Sequence, residues 1–311
     1  MERITENKIV LVTQQTRLEE LVKRFNTKEQ AKFYVEHHGA DFHDYELEHK
    51  TYYNAVRTAT DFLESYGRLQ RIDRKYLPNY LFGTSDLVIA IGRDGLVANT
   101  MKYLSTQKII GVNPDPKRWD GVLLPFSADD IEKIIPEVYA NKRKTKKVTF
   151  ATAILNDGQK LSAVNDLFIG QKTHISARYS ISLSGKSEIQ SSSGIIVSTG
   201  LGSTGWLKSI IAGANGIENH FRGERTNIGH TEMQWDANYL YFTVREPYPS
   251  TSTGASISFG RIEGGSYLTI NSLMPENGVI FSDGVESDYL EFNSGAVAQI
   301  GVDARKGTLI L

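Results

Sequence analysis

Asp94, Asp166 and Asp283 are carboxylates in settings suited to chemistry rather than to solvation alone. Asp94 lies in Gly92-Arg93-Asp94-Gly95, Asp166 follows Asn165 between two apolar runs, and Asp283 precedes Gly284 after another apolar run. Around Asp94 a continuous apolar run, residues 87–91, gives way to the glycine turn, then to helical spacing at Leu96, Val97, Met101 and Leu104. A run that short and rich in Val and Ile suits a buried parallel strand. A strand, a tight glycine turn and a helix start present backbone N–H groups and the positive end of a helix dipole, a setting for phosphate. Gly92 and Gly95 would let a phosphate approach the backbone. Asp94 would then bind Mg²⁺, orient a hydroxyl or accept its proton. The same turn is compatible with Asp94 as a helix cap.

Gly200-Leu201-Gly202-Ser203-Thr204-Gly205 has the form G-x-G-x-x-G, after an apolar run and before a helical one. A complete dinucleotide fingerprint also needs a second strand ending in an acidic residue about twenty residues on. Residues 218–224, Glu-Asn-His-Phe-Arg-Gly-Glu, are polar and do not read as a strand. A ligand-binding loop is the reading left, with Ser203 and Thr204 adding hydroxyls to a glycine-rich backbone. Asn165 and Asp166 interrupt the apolar pattern of residues 163–169, either as a turn or bulge or as a pair aimed at ligand hydroxyls or amines. Asp283-Gly284 is an ordinary turn or a carboxylate placed at a strand end. Ser184-Gly185-Lys186-Ser187 shares letters with a P-loop but sits between alternating strands, which predicts a hairpin turn. His37, His38, His43 and His49 lack the spacing of a zinc helix with a third ligand nearby. No side chain is assigned to direct metal ligation.

The elements that must position these residues follow from periodicity. Residues 8–13 read as a first strand. Thr27, with Gln30 three residues on, opens a helix that Gly39 stops. Residues 49–66 carry Tyr52, Tyr53, Val56, Ala59, Phe62, Leu63 and Tyr66 at helical spacing, and Gly67 ends them. Residues 68–72 and 108–112 are further strands, and Ser127 caps a helix containing Ile131, Ile134, Ile135 and Val138. Alternating strands and helices imply a parallel sheet with helices on its faces. After the basic run at residues 142–147, a solvated boundary, the chain turns to strands: 148–155, 161–169, 179–183, 239–244, 255–259, 267–270, 279–281 and 296–302. The expected architecture is an α/β, Rossmann-like first domain, residues 1–145, and a β-rich, sandwich-like second domain, residues 146–311, with its last strands free to pack back on the first.

Composition excludes several classes of function. A net charge of -1 supplies no global field to recruit nucleic acid or an anionic membrane. The absence of cysteine excludes disulfides, thiolate metal sites and a Cys nucleophile. No apolar run approaches a membrane span, and the first residues carry no apolar signal region, so a cytoplasmic location is the expectation.

Taken in order, these pieces resemble the NAD kinase family, most of all the branch that includes the mitochondrial NAD kinases. Gly92-Arg93-Asp94-Gly95 is similar to the family's Gly-Gly-Asp-Gly loop, and Gly111-Val112-Asn113-Pro114-Asp115-Pro116 to the motif that follows it. Asn165-Asp166 stands for the family's Asn-Glu, and Gly200-Leu201-Gly202-Ser203-Thr204-Gly205-Trp206 for its Thr-Gly-Ser-Thr loop. Arg245-Glu246-Pro247 and residues 291–296 are similar to the mitochondrial branch. The resemblance implies phosphoryl transfer from ATP, with Mg²⁺, to the adenosine ribose 2′-hydroxyl of NAD, in a site between two domains. It implies Asp94 as catalytic carboxylate, Gly92, Arg93 and Gly95 at the phosphates, and Asn165 and Asp166 on the adenosine. Gly202, Ser203, Thr204 and Asp283 would complete the NAD pocket, and a homodimer or homotetramer is expected. Arg93 replaces a glycine. If that position takes positive φ, the replacement costs on the order of 1 kcal/mol; its guanidinium is otherwise a direct phosphate ligand. Leu96 replaces a Thr, and Asp166 is one methylene shorter than Glu. Two other readings stand beside the kinase: a catalytically impaired dinucleotide-binding protein, and a kinase for another hydroxyl on a sugar, nucleoside or lipid.

Overall fold

The computed structural model describes residues 3–222 and 233–311. It divides into two compact units, residues 1–146 with 308–311, and residues 147–307.

The first unit begins with β1 (Lys8–Thr13), α1 (Arg17–Phe25), α2 (Lys28–His37) and α3 (Phe42–Tyr66). It continues through β2 (Arg68–Asp73), β3 (Leu87–Ile91), α4 (Asp94–Met101), β4 (Lys108–Asn113), β5 (Phe126–Ser127) and α5 (Ile131–Tyr139). The strands run parallel in the order β2-β1-β3-β4, with Thr308 and Leu309 paired to the first half of β4 and β5 to its end. β3 is buried along its whole length, as its unbroken apolar run requires of a central parallel strand. The helix expected over 49–66 starts earlier, at Phe42, because the Asp41 carboxylate accepts the His43 N–H at 2.8 Å. Phe42 also packs with Leu18, Ala31 and Val35. α1 is an addition to the sequence reading, although Thr16 and Glu19 form a reciprocal capping box that is legible as Thr-x-x-Glu.

The second unit is a pair of packed sheets. One contains β6 (Thr145–Leu155), β7 (Lys160–Ala163), β9 (Ala177–Leu183), β10 (Lys186–Ser192), β14 (Leu268–Ser272) and β17 (Val297–Ile310). The other has the order β13-β12-β11-β8-β15-β16, formed by β8 (Asp166–Gln171), β11 (Ile195–Ser198), β12 (Tyr239–Val244), β13 (Phe259–Glu263), β15 (Gly278–Ser282) and β16 (Val285–Glu291). Tyr179, Ile181, Leu268 and Ile270 from the first sheet meet Leu167, Ile169, Ile195, Val197, Phe242 and Ile280 from the second in one buried cluster. The fold is therefore the expected one, a parallel α/β unit and a β-sandwich.

Local corrections concern boundaries. Residues 161–169 do not form one strand: β7 ends at Ala163, β8 begins at Asp166, and the chain changes sheet at Val164 and Asn165. The strand expected at 255–259 lies instead at Phe259–Glu263, because Glu188 accepts the Ser256 and Ile257 N–H groups and holds that segment as a loop. Ser184 and Gly185, with φ of 49° and 79°, make the predicted two-residue hairpin turn. α6 (Trp206–Arg222) occupies most of the segment where a dinucleotide fingerprint needs its acidic second strand; Gly223 and Glu224 lie outside the described residues. Among the described residues no helix is long and apolar enough to cross a membrane.

Candidate functional site

The second unit holds a cavity of about 650 Å³, within the range that takes a nucleotide-sized ligand. Asn165, Asp166, Gly202, Thr204 and Asp283 line it, so the structure brings most of the proposed NAD-binding residues together.

Asp283 is the centre of that assembly. It and Gly284 form the turn between β15 and β16, with φ of 53° and 68°, the backbone of a type I′ hairpin. Its carboxylate accepts the N–H of Asn165 at 2.6 Å, of Val164 at 3.0 Å and of Asp166 at 3.3 Å. The sheet-changing corner is thus fixed by one carboxylate, and both readings of Asp283-Gly284, turn and placed carboxylate, hold at once.

The glycine-rich loop is locked to the same corner. The Asn165 carbonyl accepts the Thr199 N–H at 3.0 Å, and the Thr199 hydroxyl donates to the Val164 carbonyl at 2.6 Å. A Cβ on Gly202 would lie 2.2 Å from the Asn165 carbonyl oxygen. Gly202 is therefore required by backbone against backbone. Ser203 is fully buried, donates its hydroxyl to the Gly200 carbonyl at 2.8 Å, and has no part in the cavity wall. Thr204 lines the cavity while its hydroxyl donates to Leu201.

Phe168, Gln171, Lys172, Trp206, Arg245 and Phe281 also line the cavity, and none of them stands among the expected site residues. The Phe168 ring lies nearly parallel to Trp206, centroids 6.0 Å apart, and to Phe281 at 6.1 Å. Such an aromatic surface takes a planar base. The signal was present as alternation: Asp166, Phe168 and Lys172 fall on one face of a strand.

Two acceptors in the wall, Asp166 Oδ1 and Gln171 Oε1, are buried without a hydrogen-bond partner. Gln171 donates its amide N–H to the Glu276 carbonyl, which fixes which end of the amide is left over. Burial pushes the Asp166 carboxyl up to about 7; Ser198 opposes the rise and the Asp283 carboxylate adds to it. Between its ordinary value of 3.8 and about 7 the folded protein holds a proton that the unfolded chain has released. Stability contributed by this group therefore falls as pH rises through that window. The melting temperature is expected to decline from about pH 4 to about pH 7, and Asp166→Asn to remove that slope. Equal slopes in both proteins refute it.

In the first unit, Gly92 and Arg93 join β3 to α4, which Asp94 and Gly95 open. The strand order reverses between β1 and β3, the edge where open α/β sheets bind ligands. Tyr52 from α3 spans it: its hydroxyl accepts the Gln14 N–H at 2.9 Å and donates to the Ile91 carbonyl at 3.3 Å. Arg93 has φ of −105°, so the replaced glycine does not imply backbone strain here. Its guanidinium pairs with Glu48 at 2.8 Å and lies 4.4 Å from the centre of the Trp119 ring. Glu48 also pairs with Arg17, which joins Asp44, and Asp44 joins Arg118 at 2.7 Å. A pocket of about 20 Å³ lies beside Gly92 and Arg93. Arg93, not Asp94, is the N-cap residue of α4. The Asp94 oxygens accept the Leu123 N–H at 2.7 Å and the Val122 N–H at 3.1 Å. A Cβ on Gly95 would meet nothing within 4 Å. Among the described residues no three His, Asp or Glu side chains are grouped to hold a metal.

No protein-family model matches the sequence, and no curated protein does. Solved structures match its fold. The chain is similar to yeast NADH kinase complexed with NADH, with 13% identity and a TM-score of 0.56 over 98% of this chain and 84% of that one. It is similar to an NAD kinase from Archaeoglobus fulgidus in complex with ATP, with 12% identity and a TM-score of 0.56 over 98% of this chain and 93% of that one.

Proposed function

We propose that this chain is a kinase that transfers the terminal phosphoryl group of ATP to the adenosine ribose 2′-hydroxyl of NAD, giving NADP. The observation that carries the reading is the cavity of the second unit. Its aromatic wall, unpartnered acceptors and clamped Asn165-Asp166 corner suit the base and hydroxyls of an adenosine. The fold shared with the NADH kinase and the NAD kinase supports it. Asn165, Asp166, Gly202, Thr204 and Asp283 shape the NAD pocket, with Ser203 acting by packing beneath it. Gly92, Arg93 and Gly95 lie at the ATP phosphates, and Asp94 is the carboxylate that receives or orients the 2′-hydroxyl proton. Mg²⁺ enters as part of the MgATP substrate. The proposal includes a cytoplasmic homodimer or homotetramer, which light scattering tests for assembly.

The test is to incubate the purified protein with NAD and MgATP and to measure NADP. Absence of NADP, with NAD binding retained by calorimetry, replaces the kinase with a dinucleotide-binding protein. That second reading has its own support, because the Arg93–Glu48 pair and Trp119 close the edge where phosphates would enter. Arg93→Gly opens that edge and is expected to lower the KM for MgATP about fivefold, the scale of one exposed ion pair. A raised KM instead makes Arg93 a phosphate ligand.

A further inference from the structure

Beside the β3–α4 turn of the first unit, side chains from four segments join in a closed circuit. The Arg118 guanidinium pairs with Asp44 Oδ1 at 2.7 Å, and Asp44 Oδ2 takes Arg17 at 3.0 Å. Arg17 reaches on to Glu48 Oε2, and Glu48 Oε1 takes Arg93 at 2.8 Å. Arg93 lies over the Trp119 ring, and Trp119 follows Arg118 in the chain, which closes the circuit. Asp44 and Glu48 stand four residues apart on α3, hence on one face, and Arg17 at the start of α1 bridges them. Each carboxylate gives one oxygen to each of two guanidiniums. The signs therefore alternate from Arg118 round to Arg93.

The loop after β4 is tied to itself as well as to this circuit. The Asn113 side chain accepts the Asp115 N–H at 3.0 Å and donates to the Trp119 carbonyl at 2.7 Å. The Asp115 carbonyl accepts the N–H groups of Arg118 and Trp119, at 3.0 and 3.1 Å. Only Asp120 and Gly121 separate Trp119 from Val122 and Leu123. The N–H groups of those two residues hold the two oxygens of Asp94, at 3.1 and 2.7 Å. One short, internally bonded segment thus has the circuit at one end and the donors to Asp94 at the other.

We infer that the circuit is a strap that orients the Asp94 carboxylate through the loop of residues 114–123, with Asp44 and Arg118 as positioning residues. The inference rests on Asp94 being the catalytic carboxylate of the proposed kinase. Asp44 acts through Arg118: the pair fixes the head of the loop against α3, and the fixed loop presents the N–H groups of Val122 and Leu123 to Asp94. Breaking the pair lets the loop shift, and the carboxylate turns with its donors. Turnover suffers from such a shift while NAD, proposed to bind in the second unit, is held as before.

Nuclear magnetic resonance and steady-state kinetics on the whole chain test it. Arg118→Gln is expected to move the amide proton signals of Val122 and Leu123 upfield, as their bonds to a carboxylate lengthen, and to leave the signals of β1 in place. Asp94→Asn moves the same two signals, which assigns them to that carboxylate. Arg118→Gln also lowers kcat for NADP formation about fivefold, the scale of one lost exposed ion pair, with the KM for NAD unchanged. Asp44→Asn reproduces both effects from the other side, and the double variant goes no further than Asp44→Asn, because the two residues share one link. Asp44→Glu keeps the charge and restores both readouts, which separates the strap from a general loss of structure. Unmoved Val122 and Leu123 signals overturn the strap, and so does a lower kcat accompanied by shifts throughout β1. If wild type and both variants form NADP at one rate, the strap fails and the kinase stands. If no NADP forms while the two signals move in both variants, the kinase fails and the hold on Asp94 stands.

Discussion

Asp94→Asn is expected to lower NADP formation by a factor of about 10²–10⁴, the range of a lost general base, with NAD binding unchanged. Each Asp94 oxygen accepts one backbone N–H, from Val122 or Leu123, and an ionised carboxylate oxygen has a further lone pair to offer a hydroxyl. The two backbone bonds fix the orientation of the carboxylate. Asn retains one acceptor and turns an amide N–H toward the other donor, so it loses both the charge and part of that orientation. The residues proposed to line the NAD pocket all belong to the second unit, so calorimetry with NAD separates chemistry from binding. A variant that retains turnover leaves Asp94 as no more than a fastener for residues 122–123.

Asp283→Ala is expected to be the most destabilising single change in the second unit, by about 3 kcal/mol, with loss of NAD binding. Three N–H groups at the sheet-changing corner would lose a charged acceptor together. Alanine would also have to hold the positive φ of 53°, which Asp and Asn tolerate better. Asp283→Asn separates these effects: it keeps the turn conformation and one acceptor, so it should fall between Ala and wild type in thermal melts. If Ala and Asn melt like wild type, the corner is held by other bonds and the clamp is dispensable.

The parallel α/β unit was legible because its strands are short unbroken apolar runs and its helices keep strict spacing. The sandwich was legible in outline; a turn or bulge was one reading of Asn165-Asp166, but the change of sheet at Val164 and Asn165 was not legible. Apolar residues continue on both sides of it, and only a partner more than a hundred residues away, Asp283, makes it a corner. Asn165, Asp166, Thr204 and Asp283 line one cavity. Ser203 does not face it, since nothing local says that its hydroxyl turns back to Gly200. The Arg93–Glu48 pair lay beyond sequence reasoning because Glu48 sits on a helix read as beginning after it. Arg245 stood in a motif without being placed at the site, because it lies just past the end of β12, where alternation gives no warning.

Thr308 and Leu309 pair with Lys108 and Ile109, so the sheet of the first unit receives a strand from beyond the whole of the second. The border between the units in space is therefore not a border in the chain. During synthesis the first half of β4 keeps an unfilled edge until residues 147–307 have been made, and open edges invite mispairing. The first unit is closed late, by a segment whose delivery depends on the second, and the chain has no single cut that yields both units whole.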